Sequence, residues 1–145
     1  MPDVVYRLIN AINAHDLESC LGCYHTDALM VGPELQAEGL EQIAAYHAHV
    51  WEGLPDIRVN FWERISSGDR VMIEGCSCAT HTGPFLIAGG EVVAPTGRAV
   101  NFRECWVFTL EHDLIVSHRL YHDQMELYSQ LGVGLTIKVA EPPIA

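Results

Sequence analysis

The sequence predicts an α+β fold in which helices pack on one face of a sheet of long strands. In the first third of the chain, apolar residues recur every three or four positions, as they do on one side of a helix. From Asp56 onward the interval changes to two, which is typical of strands whose side chains alternate between two faces. Helices followed by a run of antiparallel strands indicate the α+β class.

Three helices and one short strand are expected before residue 55: residues 3–14, a short helix that continues through Tyr24, a strand at 28–31, and a helix from Gly39 to about Gly53. Asp16 is suited to begin the second helix because its side chain accepts hydrogen bonds from the free backbone N–H groups of a first turn. Pro55 follows the third helix, as expected just beyond a helix end.

Four long strands and a final helix are expected after residue 55: strands at 56–65, 71–81, 100–110 and 114–122, and a helix from Gln124 to Leu131. Alternation places one set on a single face of the first strand, namely Ile57, Val59, Phe61, Glu63 and Ile65, and another on the second, namely Val71, Ile73, Gly75, Ser77, Ala79 and His81. Segment 82–97 is rich in glycine and proline, which predicts a long loop or a loosely paired hairpin at the mouth of a pocket. We expect a single domain over residues 1–137 and a loosely held tail over 138–145.

Composition limits the classes of partner. Hydrophobic residues make up 49% of the 145, which predicts a globular chain with a real core. The net charge of −11 argues against nucleic acid or an anionic membrane, because both attract basic surfaces. The chain shows neither a signal-peptide pattern nor an apolar run of membrane-spanning length, so we expect a soluble, cytoplasmic protein.

Five cysteines, an odd number, favour a reducing compartment over a disulfide scaffold. Cys20 and Cys23 form a CxxC pair inside a helical pattern, where ordinary half-buried thiols are a better interpretation than a zinc or redox site. His118 and His122 are four residues apart on a strand, about 13 Å, too far to share one metal ion without a bend. We therefore predict no metal and no cofactor.

The last two strands carry the most informative pattern. Alternation places one set on a single face of the first strand, namely Phe102, Glu104, Trp106, Phe108 and Leu110, and a second set on the next strand, namely Leu114, Val116, His118, Leu120 and His122. Both faces are apolar except for Glu104, His118 and His122. Titratable groups on an apolar face predict either a small reaction pocket or a hydrogen-bonded polar core.

Four residues are candidates for acid/base catalysis: Asp123, Glu104, His118 and His122. Asp123 has two interpretations, a catalytic base with a raised pKa or the N-cap of the final helix. Glu104 is either a buried acid/base or part of a buried acid–histidine pair, unless a register slip turns it outward. Either histidine could polarise a carbonyl group.

The candidates for contact with a bound molecule are mostly aromatic: Trp106, Phe102, Phe108, Phe61, Trp51, His81 and Tyr121. Such side chains more often fill a core, although some must line any cavity that exists. His81 is expected at the pocket rim or in a bond to the nearby loop, with a structural role favoured. His47 lies on an apolar helical stripe and is interpreted as a hydrogen-bonded core residue.

Four segments resemble one known family: NAHDLESCLGCYHTDALMVGP, EGLEQIAAYHAHVWEGLPDIRV, GCSCATHTGPF with PTGRAVNFRECWVF, and IVSHRLYHDQMELYSQLG. In order and spacing the chain is similar to the SnoaL-like polyketide cyclase family of the NTF2-like superfamily. The resemblance implies a cone-shaped, curved antiparallel sheet packed on three N-terminal helices with a short C-terminal helix. It also implies a homodimer packed through the sheet, and a catalytic aspartate at the position of Asp123.

The chain departs from relatives in that superfamily in two ways. Where the steroid isomerases place a catalytic carboxylate and an acid donor, it has Gly32 and Trp106, which argues against that mechanism. Where the aldol cyclases carry polar partners on the penultimate strand, it has Glu104 and Trp106.

Three functions stay open. The first is a SnoaL-like enzyme that uses metal-free acid/base chemistry on an apolar, carbonyl-bearing small molecule, by an intramolecular aldol or related isomerase or hydrolase chemistry. The second is a protein that binds a hydrophobic molecule without chemistry. The third is a dimerisation module with a filled core. We favour the first, because several ionisable groups near one pocket would be costly in a core that binds nothing.

Overall fold

The computed structural model describes residues 3–33, 35–134 and 136–144. In that part of the chain the helices are α1 (Val4–Asn13), α2 (Leu17–Leu21), α3 (Gly39–Gly53) and α4 (Gln124–Gln130). The strands are β1 (Tyr24–Gly32), β2 (Leu35–Glu38), β3 (Arg58–Ser67), β4 (Arg70–Thr80), β5 (Phe85–Leu86), β6 (Val92–Val93), β7 (Ala99–Glu111) and β8 (Leu114–His122). None of these helices is long and apolar enough to cross a membrane.

Six strands form one sheet in the order β2-β1-β8-β7-β4-β3, and β5 and β6 form a small separate ladder. The predicted α+β class is confirmed. The expectation of a wholly antiparallel sheet is wrong at one pair, because β1 runs parallel to β8. These strands lie at opposite ends of the chain and are joined by no hairpin, so nothing in their connection requires them to be antiparallel.

The predicted helices agree with the structure except at the second. α2 ends at Leu21, and Tyr24 already begins β1, so the expected helix is too long and the expected strand at 28–31 too short. β2 was not expected. It has only four residues, too few for an alternating pattern to be recognised, and it pairs with the end of β1.

The inner face of the sheet, defined as the face toward α1 and α3, follows the predicted alternation on two strands. On β4 the buried residues are Val71, Ile73, Gly75, Ser77 and Ala79, and on β7 they are Val100, Phe102, Glu104, Trp106 and Phe108. On β8 the alternation is interrupted, because the register with β7 skips Val116. Ile115 is therefore the buried residue, whereas Leu114 and Val116 are only half-buried, contrary to the prediction.

A second irregularity lies at Trp62 in β3, where the register with β4 shifts between Phe61 and Glu63. A Cβ atom on Gly75 of β4 would lie 2.1 Å from the backbone oxygen of Asn60, so this close approach requires glycine. Beyond the bulge the alternation of β3 is reversed, and Ile65 is 53% exposed although its position in the pattern predicts an inner residue.

Candidate active site

A cavity of about 490 Å³ lies between the inner face of the sheet and α3. α3 contributes Tyr46, His47, Val50 and Trp51, and the segment Phe85, Leu86 and Ile87 borders the cavity as the sequence predicts for the loop after β4. The start of α4 contributes Gln124, Leu127 and Tyr128. A cavity of this size and largely apolar lining accommodates a small organic molecule.

Glu104 is the acidic side chain in the described part of this lining, and it is 6% exposed. It projects inward from β7, and the hydroxyl group of Ser77 on neighbouring β4 donates a hydrogen bond to its Oε2 atom. Burial raises the pKa of Glu104 to about 7, against the opposing effects of the Ser77 hydroxyl and the Trp106 indole. At neutral pH this carboxyl group is therefore poised between its charged and neutral forms.

His118 is a second polar residue of the inner face and is 1% exposed. Its Nδ1 atom lies 2.9 Å from the hydroxyl oxygen of Tyr24 on β1. Its Nε2 atom has no hydrogen-bond partner among the described residues. Burial, with a smaller effect of His47, holds the pKa of His118 well below its ordinary value, so the ring is neutral at pH 7.

His47 of α3 lies in the same lining, and its ring stacks on Trp51 with the ring centres 5.6 Å apart. Burial lowers the pKa of His47 to about 4, and its Nε2 atom has no hydrogen-bond partner in the described part of the chain. The prediction of a buried histidine on the apolar stripe is therefore confirmed, but Nε2 is not hydrogen-bonded as that prediction required.

The other two catalytic candidates lie near the end of β8. His122 is half-buried and lines the cavity. It lies four residues after His118 on β8, directly opposite Glu104 in the β7–β8 pairing. Asp123 is exposed and is not part of the lining. Its Oδ1 atom accepts a hydrogen bond of 2.9 Å from the backbone N–H of Met125, so the structure shows the N-cap of the two predicted roles.

The aromatic candidates divide into two groups. Trp106, Phe102 and Trp51 line the cavity. Phe108, Phe61, His81 and Tyr121 do not, for physical reasons that differ. Phe108 is fully buried against His118, Phe61 packs on Trp106, and Tyr121 points outward and is 54% exposed.

His81 is fully buried beside the loop after β4. It holds this loop in place, because its Nδ1 atom accepts a hydrogen bond of 3.2 Å from the backbone N–H of Thr96. This contact is a bond to the nearby loop, one of the two predicted positions of His81.

Sequence reasoning did not identify Tyr24, Ser77 or Tyr46 as site residues. Ser77 falls on the correctly predicted inner face of β4, which was the one available signal for it. Tyr46 lines the cavity, and burial, with a smaller effect of the Glu104 charge, raises the pKa of its hydroxyl group. Tyr24 was assigned to a helix, so nothing in the pattern pointed to its contact with a strand residue 94 positions away.

Over residues 3–33, 35–134 and 136–144, no group of three or more His, Cys, Asp or Glu residues is arranged to hold a metal ion. All five cysteines are free. Burial raises the pKa of Cys20 to about 12 and also raises that of Cys23, so the CxxC thiols stay protonated at neutral pH.

The α+β arrangement of N-terminal helices, a six-stranded mixed sheet and a short C-terminal helix is the NTF2-like fold. The sequence profile of the SnoaL-like polyketide cyclases matches residues 3–131, and the chain belongs to this family. Comparison with the curated proteins gives no match.

Solved structures with this fold include a candidate SnoaL-like polyketide cyclase from Jannaschia sp. CCS1, with a TM-score of 0.80, 24% identity, and 91% of each chain covered. IdmH from Streptomyces antibioticus, a candidate polyketide cyclase, has a TM-score of 0.73 and 22% identity over 90% of this chain and 96% of its own. TerC, co-crystallised with polyporic acid, has a TM-score of 0.73 and 19% identity over the same shares. Identities this low show the common fold alone.

Proposed function

We propose that this protein is a SnoaL-like enzyme that performs acid/base chemistry on an apolar, carbonyl-bearing small molecule. The observation that carries the proposal is the position of Glu104, a carboxyl group enclosed in an apolar cavity and with a pKa of about 7. A group whose pKa lies near the working pH is effective both in removing and in returning a proton. The intramolecular aldol of the polyketide cyclases and related isomerase or hydrolase reactions both use such a group.

In the proposed step, the ionised carboxylate of Glu104 removes a proton from the carbon beside the substrate carbonyl. Negative charge then develops on the carbonyl oxygen, and a hydrogen-bond donor placed at that oxygen lowers the barrier. The imidazoles of His118 and His122 are the proposed donors, because both line the same cavity on the strand next to Glu104. Protonated Glu104 returns its proton to the product, so the enzyme ends as it began.

Binding without chemistry is the second candidate function. It is favoured by the apolar lining, and by His47 and His118, which burial keeps neutral at pH 7. A relative with the same fold, TerC, was crystallised with polyporic acid, which supports small-molecule binding as a use of this cavity. The two functions differ only in whether Glu104 transfers a proton.

Proton transfer can be tested without the natural substrate. We would incubate the protein with 2-acetylnaphthalene in D₂O and follow the loss of the methyl proton signal by NMR. The wild-type protein should accelerate exchange, and the rate should rise with pH through about 7 as Glu104 ionises and then level off. Glu104→Gln should abolish the acceleration and leave binding of the ketone intact.

Two variants serve as comparisons. Glu111→Gln changes the same functional group on the exposed end of the same strand and should exchange protons at the wild-type rate. Asp123→Asn keeps the helix cap but removes the carboxylate, so a loss of exchange in this variant would move the base from Glu104 to Asp123. Ketone binding with no accelerated exchange in the wild-type protein would favour the second function.

A homodimer packed through the outer face of the sheet is part of the same proposal. That face carries Trp62 and Tyr121, which are 56% and 54% exposed, and the half-buried Cys105. Large exposed aromatic side chains are enriched where proteins associate. Light scattering should give twice the chain mass, and Tyr121→Glu should reduce it to one chain; a wild-type monomer at high concentration would contradict the proposal.

A further inference from the structure

The contact between Tyr24 and His118 is buried, and its direction decides what His118 presents to the cavity. Tyr24 is 3% exposed and does not line the cavity, whereas His118 does. Their rings are nearly parallel, with an interplanar angle of 19°, and the hydroxyl oxygen lies 2.9 Å from Nδ1. A neutral imidazole has one N–H donor and one acceptor nitrogen, so the role of Nδ1 fixes the role of Nε2.

The hydrogen-bond inventory of the described residues distinguishes the two directions. If Nδ1 carried the proton and donated to Tyr24, the phenolic proton would have no acceptor among the described residues and Nε2 would be a second unsatisfied atom. If Tyr24 donates to Nδ1, only the N–H at Nε2 is left without a partner. Buried polar groups are costly when unsatisfied, so the second direction is the stable one.

Both groups also have the protonation state that this direction requires. Burial raises the pKa of Tyr24 well above its ordinary value, so the hydroxyl group keeps its proton. Burial holds the pKa of His118 well below its ordinary value, so Nδ1 keeps its lone pair. A phenol is the stronger donor of the two and an imidazole nitrogen the stronger acceptor.

We propose that Tyr24 is a positioning residue that holds His118 as the Nε2–H tautomer and so gives the cavity a neutral donor for a carbonyl oxygen. The Trp106 ring lies across His118 with the ring centres 4.8 Å apart, and its indole N–H lacks a partner of normal hydrogen-bond geometry within the described residues. Two N–H donors beside an apolar cavity are complementary to the carbonyl oxygen of a flat, aromatic ketone or quinone.

This inference deepens the proposed function and rests on it for the substrate class, but the tautomer can be measured without any substrate. In ¹⁵N-histidine-labelled protein, long-range ¹H–¹⁵N spectra distinguish a protonated from an unprotonated ring nitrogen, and His118→Gln identifies the His118 signals by their loss. The expected result at neutral pH is an unprotonated Nδ1 and a protonated Nε2. A protonated Nδ1 of His118 in the wild-type protein would overturn the inference.

Tyr24→Phe tests the cause. It should move His118 from one tautomer to a mixture, whereas Tyr6→Phe, which removes an exposed hydroxyl group from α1, should change nothing. An unchanged tautomer in Tyr24→Phe would show that Tyr24 does not fix it.

The substrate class is tested with two ligands of matched shape, 2-acetylnaphthalene and 2-isopropenylnaphthalene. The wild-type protein should prefer the ketone by about fivefold, the size expected for one neutral hydrogen bond, and Tyr24→Phe, with a mixture of tautomers, should reduce that preference. Equal binding of both ligands by the wild-type protein would refute the donor role. If neither ligand binds, the proposed function fails, and the ¹⁵N result still decides the role of Tyr24.

Discussion

Replacing Glu104 by glutamine should change how the stability of the fold depends on pH. The folded-state pKa of Glu104 is about 7, above the ordinary value of 4.5 that applies to the unfolded chain. Below about pH 4.5 the group is protonated in both states and has no effect. As the pH rises from there to about 7, the unfolded chain releases this proton and the folded chain keeps it, so the free energy of unfolding falls.

The size of the effect follows from the two pKa values. At about 1.4 kcal/mol per pKa unit, the gap between 4.5 and about 7 corresponds to a loss of about 3 kcal/mol. Above about pH 7 both states are ionised and the loss is complete. Glutamine resembles the protonated acid, can still accept the hydrogen bond from Ser77, and has no charge to bury.

The assay is urea unfolding of the wild-type protein and of Glu104→Gln at a series of pH values. His47 and His118 also affect the pH dependence, but they are present in both proteins and cancel in the difference. The wild-type value minus the variant value should fall by about 3 kcal/mol between about pH 4.5 and pH 7. The same difference for Glu111→Gln should be flat, and a flat difference for Glu104→Gln would refute the assignment of Glu104 as a buried group of raised pKa.

Three further outcomes are expected. Asp123→Ala should lower the free energy of unfolding by about 1 kcal/mol and Asp123→Asn by only a few tenths, because asparagine also caps helices; equal losses would contradict the capping role. Gly75→Ala should cost more than about 3 kcal/mol in urea unfolding, because its Cβ would lie 2.1 Å from a backbone oxygen, whereas Gly134→Ala, with nothing within 4 Å, should be neutral. The His47 imidazole should show no protonation by NMR between about pH 5.5 and 8, since burial lowers its pKa to about 4; a midpoint near 6.5 would mean that water reaches the ring.

Much of the fold could be predicted because an alternating pattern shows directly which side chains of a strand share one face. The inner face was assigned correctly from Val71 to Ala79 on β4 and from Phe102 to Phe108 on β7, and Glu104 was placed inside with them. Leu110 was also expected inside, but it lies beyond a shift in the β7–β8 register and is only half-buried. The errors occur where a backbone irregularity interrupts the period, at Trp62 in β3 and at Val116 in β8. A bulge adds one residue without changing the composition around it, and every side chain beyond it then changes face.

The site was predicted less completely, because ionisable residues are easy to recognise in an apolar pattern and neutral polar residues are not. A charged residue in an apolar pattern is conspicuous, so Glu104, His118 and His122 were found. Tyr24 and Ser77 are neutral and common in ordinary strands, and their importance depends on which residue they meet. The Tyr24 contact exists only because β1 lies parallel to β8, a pairing between distant segments that local periodicity does not contain.

One physical cause assigns different roles to the acid and the histidines of this cavity. By their ordinary pKa values, a histidine would act as the base at neutral pH, and a glutamate would stay ionised and take no part in proton transfer. Burial disfavours charge on either kind of group. It therefore raises the pKa of Glu104 to about 7 and lowers the pKa values of His47 and His118 below that of an ordinary histidine. The residue that changes charge near neutrality is then the acid, and the histidines are left as neutral partners. An enclosed, apolar cavity therefore makes Glu104 the proton carrier and His118 the donor, and opening the cavity to water should reverse that order.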